Sequence, residues 1–526
     1  MLNREHWIYR YPEGFLRQLK QPAWSDTNGS QYTFGDILSG TLWFKHAMKE
    51  RGIIENSRVI LFVQPGFKLV CALNAIYSIG ATAVFIDPWL PRHKAIGLVR
   101  QLEGDVWLVD AIFNPLIRLL RPFLGTKKWV IDTIGSMDAK EWTIDKRNAL
   151  SAAFLSFTSG STGQPKIVKR SYAFLSAQFI VAQKYWGESP MKESSPFFVA
   201  MMAALRLGNP TFYLSQNTVQ SPEAGELVYS QIQKEKVQRI FVAPRLWEQL
   251  LVQIENTNVP VSLKHVIVGG APISRAVIKR SLKYNVDFNG QLVYGSTEVE
   301  PIALCSFEDY FNATEDPKLG IYTGKPIDEI TLKLIAPSIH PQNSTALKQE
   351  TEIGEVTVCG SHVCAEYHAS EIDFKRNKIV DEEGRIWHRT GDIGQMREGH
   401  LYLLGRINRI MYKNGTAHYP FPLEMSVQTY TSHTDVGVVQ LPNGEIMCCI
   451  GGCTANLEQK TDWQSLAIAH NWPFDAVVLL KHALPRDERH QSKLAASLLI
   501  AQLSSPFSRW YRKKTIYLRK SHANRS

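Results

Sequence analysis

The chain has 526 residues, 44% of them hydrophobic and 21% charged, with a formal net charge of +10. That length exceeds a single core, so more than one domain is expected, and the composition excludes a disordered or fibrous chain. No uninterrupted apolar stretch reaches the ~20 residues of a membrane span, and Met1 to Trp7 carries an acid with no following apolar core, unlike a signal peptide.

In chain order, Thr33-Phe-Gly-Asp36 opens a helical pattern through Leu38, Leu42, Phe44 and Met48 that stops at Gly52. Arg58 to Val63 is a short apolar run bounded by Pro65-Gly66, hence a buried strand. Phe67 to Ile79 is helical, and Ala81 to Ile86 is a second buried strand ended by Asp87-Pro88. Strand, helix, strand at this spacing is a βαβ unit and implies a parallel sheet covered by helices.

Next comes Phe157-Thr-Ser-Gly-Ser-Thr-Gly-Gln-Pro-Lys166, directly after apolar Ala152 to Leu155. Glycines let backbone N–H groups converge, hydroxyls donate hydrogen bonds and a lysine adds a point charge, the composition of a phosphate-holding loop. It lacks the Gly-x-x-x-x-Gly-Lys-Ser/Thr spacing of a Walker A loop. The alternative is a Ser/Gly-rich linker, which an apolar strand before it and Pro-Lys-Ile-Val after it disfavour.

Val237 to Ala243 and His265 to Val268 each precede a helical pattern, giving two more units of the same kind. Val268-Gly-Gly-Ala-Pro272 follows a strand, and its glycines allow a flat ring to approach the backbone. Tyr294-Gly-Ser-Thr-Glu298 offers an aromatic face, a hydroxyl and a carboxylate that suits Mg²⁺. A turn with an exposed glutamate is the plainer alternative. Gly354 to Cys364 alternates with period two, as in an antiparallel region. His388-Arg-Thr-Gly-Asp392 reads as a strand end whose aspartate could accept from adjacent ribose hydroxyls. Exposure and either Arg389 or Arg406 would keep it ionised. An Asx turn would look the same.

After Gly405-Arg406 the chain becomes more polar and turn-rich, so the domain boundary is placed there: residues 1-405 and 406-526. Ile446 to Gly452 reads as a buried strand, making Cys448, Cys449 and Cys453 core thiols rather than metal ligands. The odd count of seven cysteines, none in a Cys-x-x-Cys pair, fits a reducing, cytoplasmic setting. Lys493 stands in Leu484-Pro-Arg-Asp-Glu-Arg-His-Gln-Ser-Lys493, before a helical run. The tail alternates Arg509, Arg512, Lys513, Lys514, Arg519, Lys520 and Arg525 with aromatic residues. It could touch an anionic membrane. A solvated terminus is the preferred reading.

The Thr158–Lys166 string and the four later segments, in this order, resemble the adenylate-forming superfamily of acyl-CoA synthetases, luciferases and adenylation domains, over about residues 30 to 500. The resemblance implies an α/β fold: a large N-terminal domain of βαβ units with parallel sheets and a small antiparallel region, then a small mobile α+β domain. It implies that Thr158, Ser159, Gly160, Ser161, Thr162, Gly163 and Lys166 grip the β- and γ-phosphates of ATP. Gly270, Ala271 and Tyr294 would line adenine, Thr297 would touch the α-phosphate and Glu298 would hold Mg²⁺. Asp392 and Arg406 would bind ribose, and Lys493 would reach the carboxylate and α-phosphate. The hinge position, usually Asp or Lys, is Asn408.

The activity implied is conversion of a carboxylic acid, fatty or 3-hydroxy fatty, to acyl-AMP with release of pyrophosphate. Transfer to CoA or an acyl-carrier thiol would follow. The region Pro196 to Gly208 lacks the histidine of the Pro-x-x-His segment common in acyl-CoA synthetases, and its apolar residues suit an aliphatic lining or plain packing. Tyr419 to Glu424 and Asp487-x-Arg-His-x-Ser-Lys493 look more like the olefin-pathway β-lactone synthetases, in which the substrate's own hydroxyl closes the ring without CoA. A non-catalytic nucleotide-binding relative is a third reading, disfavoured by intact Lys166, Glu298, Asp392 and Lys493. No nucleic-acid partner is expected.

Overall fold

A computed structural model describes residues 16, 18–85, 102, 104–111, 127–131, 134–138, 144–145, 147–158, 166–187, 190–257, 262–284, 288–431, 433–453, 461–487, 493–505 and 512–518. Two large sheets dominate the first four hundred residues. In the seven-stranded sheet, Arg58–Phe62 lies between Thr82–Phe85 and Val106–Asp110, parallel to both. The helix Phe67–Ile79 lies between the first two in sequence, as a crossover between parallel strands requires. The middles of these strands are apolar because helices cover the sheet, and Val59, Ile60, Ala83, Val84, Leu108 and Val109 are fully buried.

Local chemistry explains the element starts. Helix Phe34–Glu50 begins with a reciprocal box in which Thr33 accepts from the Asp36 amide while Asp36 accepts from the Thr33 amide. Ser171 caps Tyr172–Trp186 and Ser274 caps Arg275–Ser281 in the same one-sided way.

The larger sheet starts parallel and ends antiparallel. Arg239–Val242, His265–Gly269 and Asn289–Ser296 run parallel. Val299–Ser306 then turns back on Asn289–Ser296, and the antiparallel strands Ile321–Pro326, His400–Arg406, Ile386–Arg397, Ile353–Cys359 and Thr331–Ile335 follow across the sheet. The antiparallel region expected to be small is thus as extensive as the parallel one. The fold is otherwise the expected α/β arrangement with a smaller C-terminal region.

In that region Val436–Gln440, Ile446–Ile450, Ala476–Leu480 and Arg512–Tyr517 form a separate four-stranded sheet. Cys448 and Cys449 are fully buried in it, and all seven cysteines are free. The described part of the basic tail is no solvated terminus: Arg512–Tyr517 pairs with Ala476–Leu480 as an edge strand. Arg509, Arg519, Lys520 and Arg525 lie outside the described residues. Among the described residues no helix is long and apolar enough to cross a membrane.

Candidate active site

The glycine- and hydroxyl-rich segment joins two antiparallel strands, Ala152–Thr158 and Lys166–Ser171, whose register pairs Thr158 with Lys166. Ser159, Gly160, Ser161, Thr162 and Gly163 lie outside the described residues. Lys166 is described: its Nζ donates to Asn377 Oδ1 at 2.8 Å and lies 5.9 Å from the centre of the Tyr367 ring. Burial lowers its pKa, and the nearby Glu298 and Asp373 charges work against that fall.

Thr297 and Glu298 form the turn between Asn289–Ser296 and Val299–Ser306. Three bonds fix its backbone. Arg170 Nη2 donates to Thr297 O at 3.0 Å, the Glu298 amide to Ser296 Oγ at 3.2 Å, and the Cys364 amide to Glu298 O at 2.7 Å. The Glu298 side chain is half-buried rather than exposed, and its Oε1 accepts from the Tyr367 hydroxyl at 3.1 Å.

Two more basic side chains surround that carboxylate. Lys378, 2% exposed, donates from Nζ to Cys364 O and lies 5.5 Å from the Tyr367 ring centre. His388, 3% exposed, meets Asn377 O through Nδ1 at 3.3 Å. Burial would raise the Glu298 carboxyl, but His388, Lys378, Tyr367 and Lys166 together hold it down at about 2. Burial and Lys378 push His388 itself down to about 3. At neutral pH His388 is therefore uncharged and its share of that lowering is lost, which leaves Lys166 and Lys378, each with its own pKa lowered by burial, as the cations beside Glu298.

A second cluster adjoins the first through Tyr294, which shares a strand with the Thr297 turn. Tyr294 donates its hydroxyl to Asp392 Oδ2 at 2.8 Å, and Arg406 Nη1 donates to Asp392 Oδ1 at 2.7 Å. Register explains the ion pair, because Asp392 and Arg406 are directly opposed partners on adjacent strands. The Asp392 charge raises the Arg406 pKa.

Two expectations need correction. Asp392 is buried, not exposed, and lies inside Ile386–Arg397 rather than at a strand end. Arg389 does not serve it: its Nε and Nη2 both bond Glu355 Oε2, at 3.0 and 2.6 Å, in a fully buried pair. Tyr294 donates its hydroxyl to Asp392, which leaves its expected aromatic face untested.

Gly270, just past the strand His265–Gly269, has φ +90°, and a Cβ there would meet nothing within 4 Å. The Gly270-Ala271 backbone therefore borders open space, as a flat ring requires. Beside it, a Cβ on Gly269 would come within 3.3 Å of Phe241, which packs edge-to-face on Phe197 at 5.5 Å. Met201, Met202 and Leu205 of the apolar run are buried core residues, so packing accounts for them.

Lys493 is exposed and belongs to a different piece of structure. Its amide donates to Asp487 Oδ1 at 2.8 Å and its carbonyl accepts from the Asp487 amide at 2.8 Å, just ahead of helix Ala496–Ser504. Asn408 is exposed in a short turn just after strand His400–Arg406.

Sequence reasoning missed Tyr367, Lys378, His388 and Arg170. Their signal is spatial: Glu366–Tyr367 pairs with Lys166–Ser171, which carries Tyr367 to the site.

The residues present fit Mg²⁺ with a triphosphate. Among the described residues no group of three or more His, Cys, Asp or Glu could cage a metal. A single ionised carboxylate beside two ammonium groups suits an ion that takes its other oxygens from phosphates and water.

A two-sheet α/β scaffold with a smaller C-terminal region is the architecture of adenylate-forming ligases. The family described as AMP-binding enzyme matches residues 16–368, and the chain belongs to that family. It is 24% identical over 392 residues to a 2-succinylbenzoate–CoA ligase of Bacillus cytotoxicus, covering 74% of this chain and 76% of that one. It is 25% identical over 393 residues to the acyl-CoA ligase SID4 of Ajellomyces capsulatus, covering 70% and 64%. Its fold matches the amide bond synthetase McbA of Marinactinospora thermotolerans with a TM-score of 0.78 at 17% identity, covering 94% of this chain and 99% of that one.

Proposed function

We propose that this enzyme activates a small carboxylic acid with ATP, forming an acyl adenylate and pyrophosphate, and then passes the acyl group to a thiol such as CoA. One observation carries the reading. Lys166, Glu298 and Asp392, each from a different stretch of chain, are joined through Tyr367 and Tyr294 into one continuous site.

The first step faces like-charge repulsion, because a carboxylate must attack the α-phosphorus of an ATP bearing about four negative charges. Positioned cations and N–H donors offset that repulsion. Lys166 and Lys378 bring positive charge to the phosphate side, and Glu298 is the group that would hold Mg²⁺, which shields phosphate charge. Asp392 and Arg406 form the ribose side, and Gly270 and Ala271 the adenine side. Lys493 supplies the cation for the attacking carboxylate and the α-phosphate. The carboxylate oxygen bonds to phosphorus, the α–β bridging bond breaks and pyrophosphate leaves. In the second step a thiol sulfur bonds to the acyl carbon and AMP leaves with the acyl-oxygen electron pair.

The boundary near residue 405 and a turn about Asn408 belong to this proposal, since they let Lys493 serve one step and withdraw for the other. An apolar acyl group is favoured by Phe197 and Phe241 beside Gly269. The relatives' names include aromatic and amide-forming enzymes, so an aromatic acid and an amine acceptor compete with a fatty acid and a thiol. Ring closure by a 3-hydroxy acid is a second reading, supported by the sequence around Lys493.

The test is pyrophosphate release from ATP and Mg²⁺ with a panel of fatty, 3-hydroxy fatty and aromatic acids, with and without CoA. Acid-dependent release is expected, with acyl-CoA as product. Release of AMP with a lactone and no CoA selects the second reading. A chain that binds ATP yet exchanges pyrophosphate with no acid overturns both.

A further inference from the structure

We propose that Tyr367 is a positioning residue that aims the Glu298 carboxylate at the divalent cation accompanying the triphosphate. The inference rests on the proposed function and assigns a role to a residue that the sequence reading did not single out.

The Thr297-Glu298 turn is held by Arg170 on one carbonyl, by Cys364 on the next and by Ser296 on the Glu298 amide. The backbone is therefore fixed without Tyr367. What remains loose is rotation of the carboxylate about its own side-chain bonds, whose terminal torsion is broad. The Tyr367 hydroxyl, donating to Oε1 at 3.1 Å, fixes that rotation and leaves Oε2 with a defined direction.

Tyr367 is itself immobile. It is 6% exposed, and its backbone pairs with Val168 two residues after Lys166. Its ring has Lys166 Nζ at 5.9 Å and Lys378 Nζ at 5.5 Å from its centre. One aromatic residue thus fixes the spacing between the carboxylate and both ammonium groups. A tyrosine hydroxyl keeps its proton at neutral pH, so it stays a donor. Residues that orient a metal ligand typically change metal affinity by about 10–100-fold when removed.

The full-length protein and Tyr367→Phe are titrated with MgCl₂ at fixed ATP. Nucleotide binding is read by calorimetry and turnover by pyrophosphate–ATP exchange. The expected result is a rise of about tenfold in half-saturating Mg²⁺, with exchange approaching the wild-type rate at high Mg²⁺. ATP binding in EDTA and the melting temperature should stay near wild type. In a Glu298→Gln background the same change should alter Mg²⁺ dependence by less than about twofold, because the pair acts as one unit. An unchanged Mg²⁺ midpoint overturns the inference. So does a lowered melting temperature with no Mg²⁺ shift, which marks a packing role alone. If wild type exchanges pyrophosphate with no acid, the proposed function fails, and the calorimetric midpoint still decides the role of Tyr367.

Discussion

The Glu298–Asp392 region and the Lys493 region are built in opposite ways. Around Glu298 and Asp392, partners from strands far apart in sequence bond every important group, and most are buried. Around Lys493, the bonds come from Asp487 a few residues away, and the side chain faces solvent. On the proposed function the first region is preorganised to receive a nucleotide whatever the acid. On the same proposal the second acts by arriving, so its contribution should show in rate rather than in stability or nucleotide affinity.

The largest contrast comes from a pair of substitutions. Glu355→Ala removes the carboxylate on the strand paired with the Asp392 strand and leaves Arg389 buried without its charge partner. A loss of about 3–5 kcal/mol of stability is expected, read as a clear drop in melting temperature. Lys493→Ala should leave melting and ATP binding close to wild type and cut pyrophosphate exchange by about 10²–10³. Wild-type exchange in Lys493→Ala, or melting unchanged in Glu355→Ala, would break the comparison.

What the sequence disclosed follows the same divide. Helix Phe34–Glu50 was legible because Thr33 and Asp36 are three residues apart, and the alternation of strand and helix disclosed the parallel sheets. The signature segment and Glu298 were legible because their residue types are compressed into short runs. The surroundings were not. Whether Arg389 or Arg406 serves Asp392 depends on strand register, which opposes 392 to 406 and turns 389 toward Glu355. Lys378 and Tyr367 read as ordinary residues until strand pairing brings them to Glu298. The tail read as a solvated terminus because no local pattern reveals that Arg512–Tyr517 finds an edge to join.

A smaller effect sharpens the nucleotide side. Asp392→Ala removes the acceptor of both Tyr294 and Arg406. Hydrogen bonds to charged groups are worth about 1.5–3 kcal/mol, so ATP affinity should weaken by about tenfold or more while Lys493-dependent exchange at saturating ATP falls less. Equal loss of affinity and of saturated rate would mean that the two regions are not separable in this way.

The smallest expected effect is a pH dependence of stability that belongs to the buried region alone. His388 is pushed down to about 3 from an ordinary value of 6.5, chiefly by burial and then by Lys378. Below about 6.5 the unfolded chain therefore binds a proton that the folded chain refuses. Stability should fall as pH drops from 6.5 toward 3, with this residue contributing at most about 1.4 kcal/mol per pH unit. His388→Asn removes that slope while keeping a polar side chain beside Asn377, so its stability should decline less between pH 6.5 and 5 than that of wild type. Equal slopes in chemical denaturation at the two pH values would show that the imidazole is not held neutral. The charge that keeps Glu298 ionised would then have to be shared with His388 rather than carried by Lys166 and Lys378.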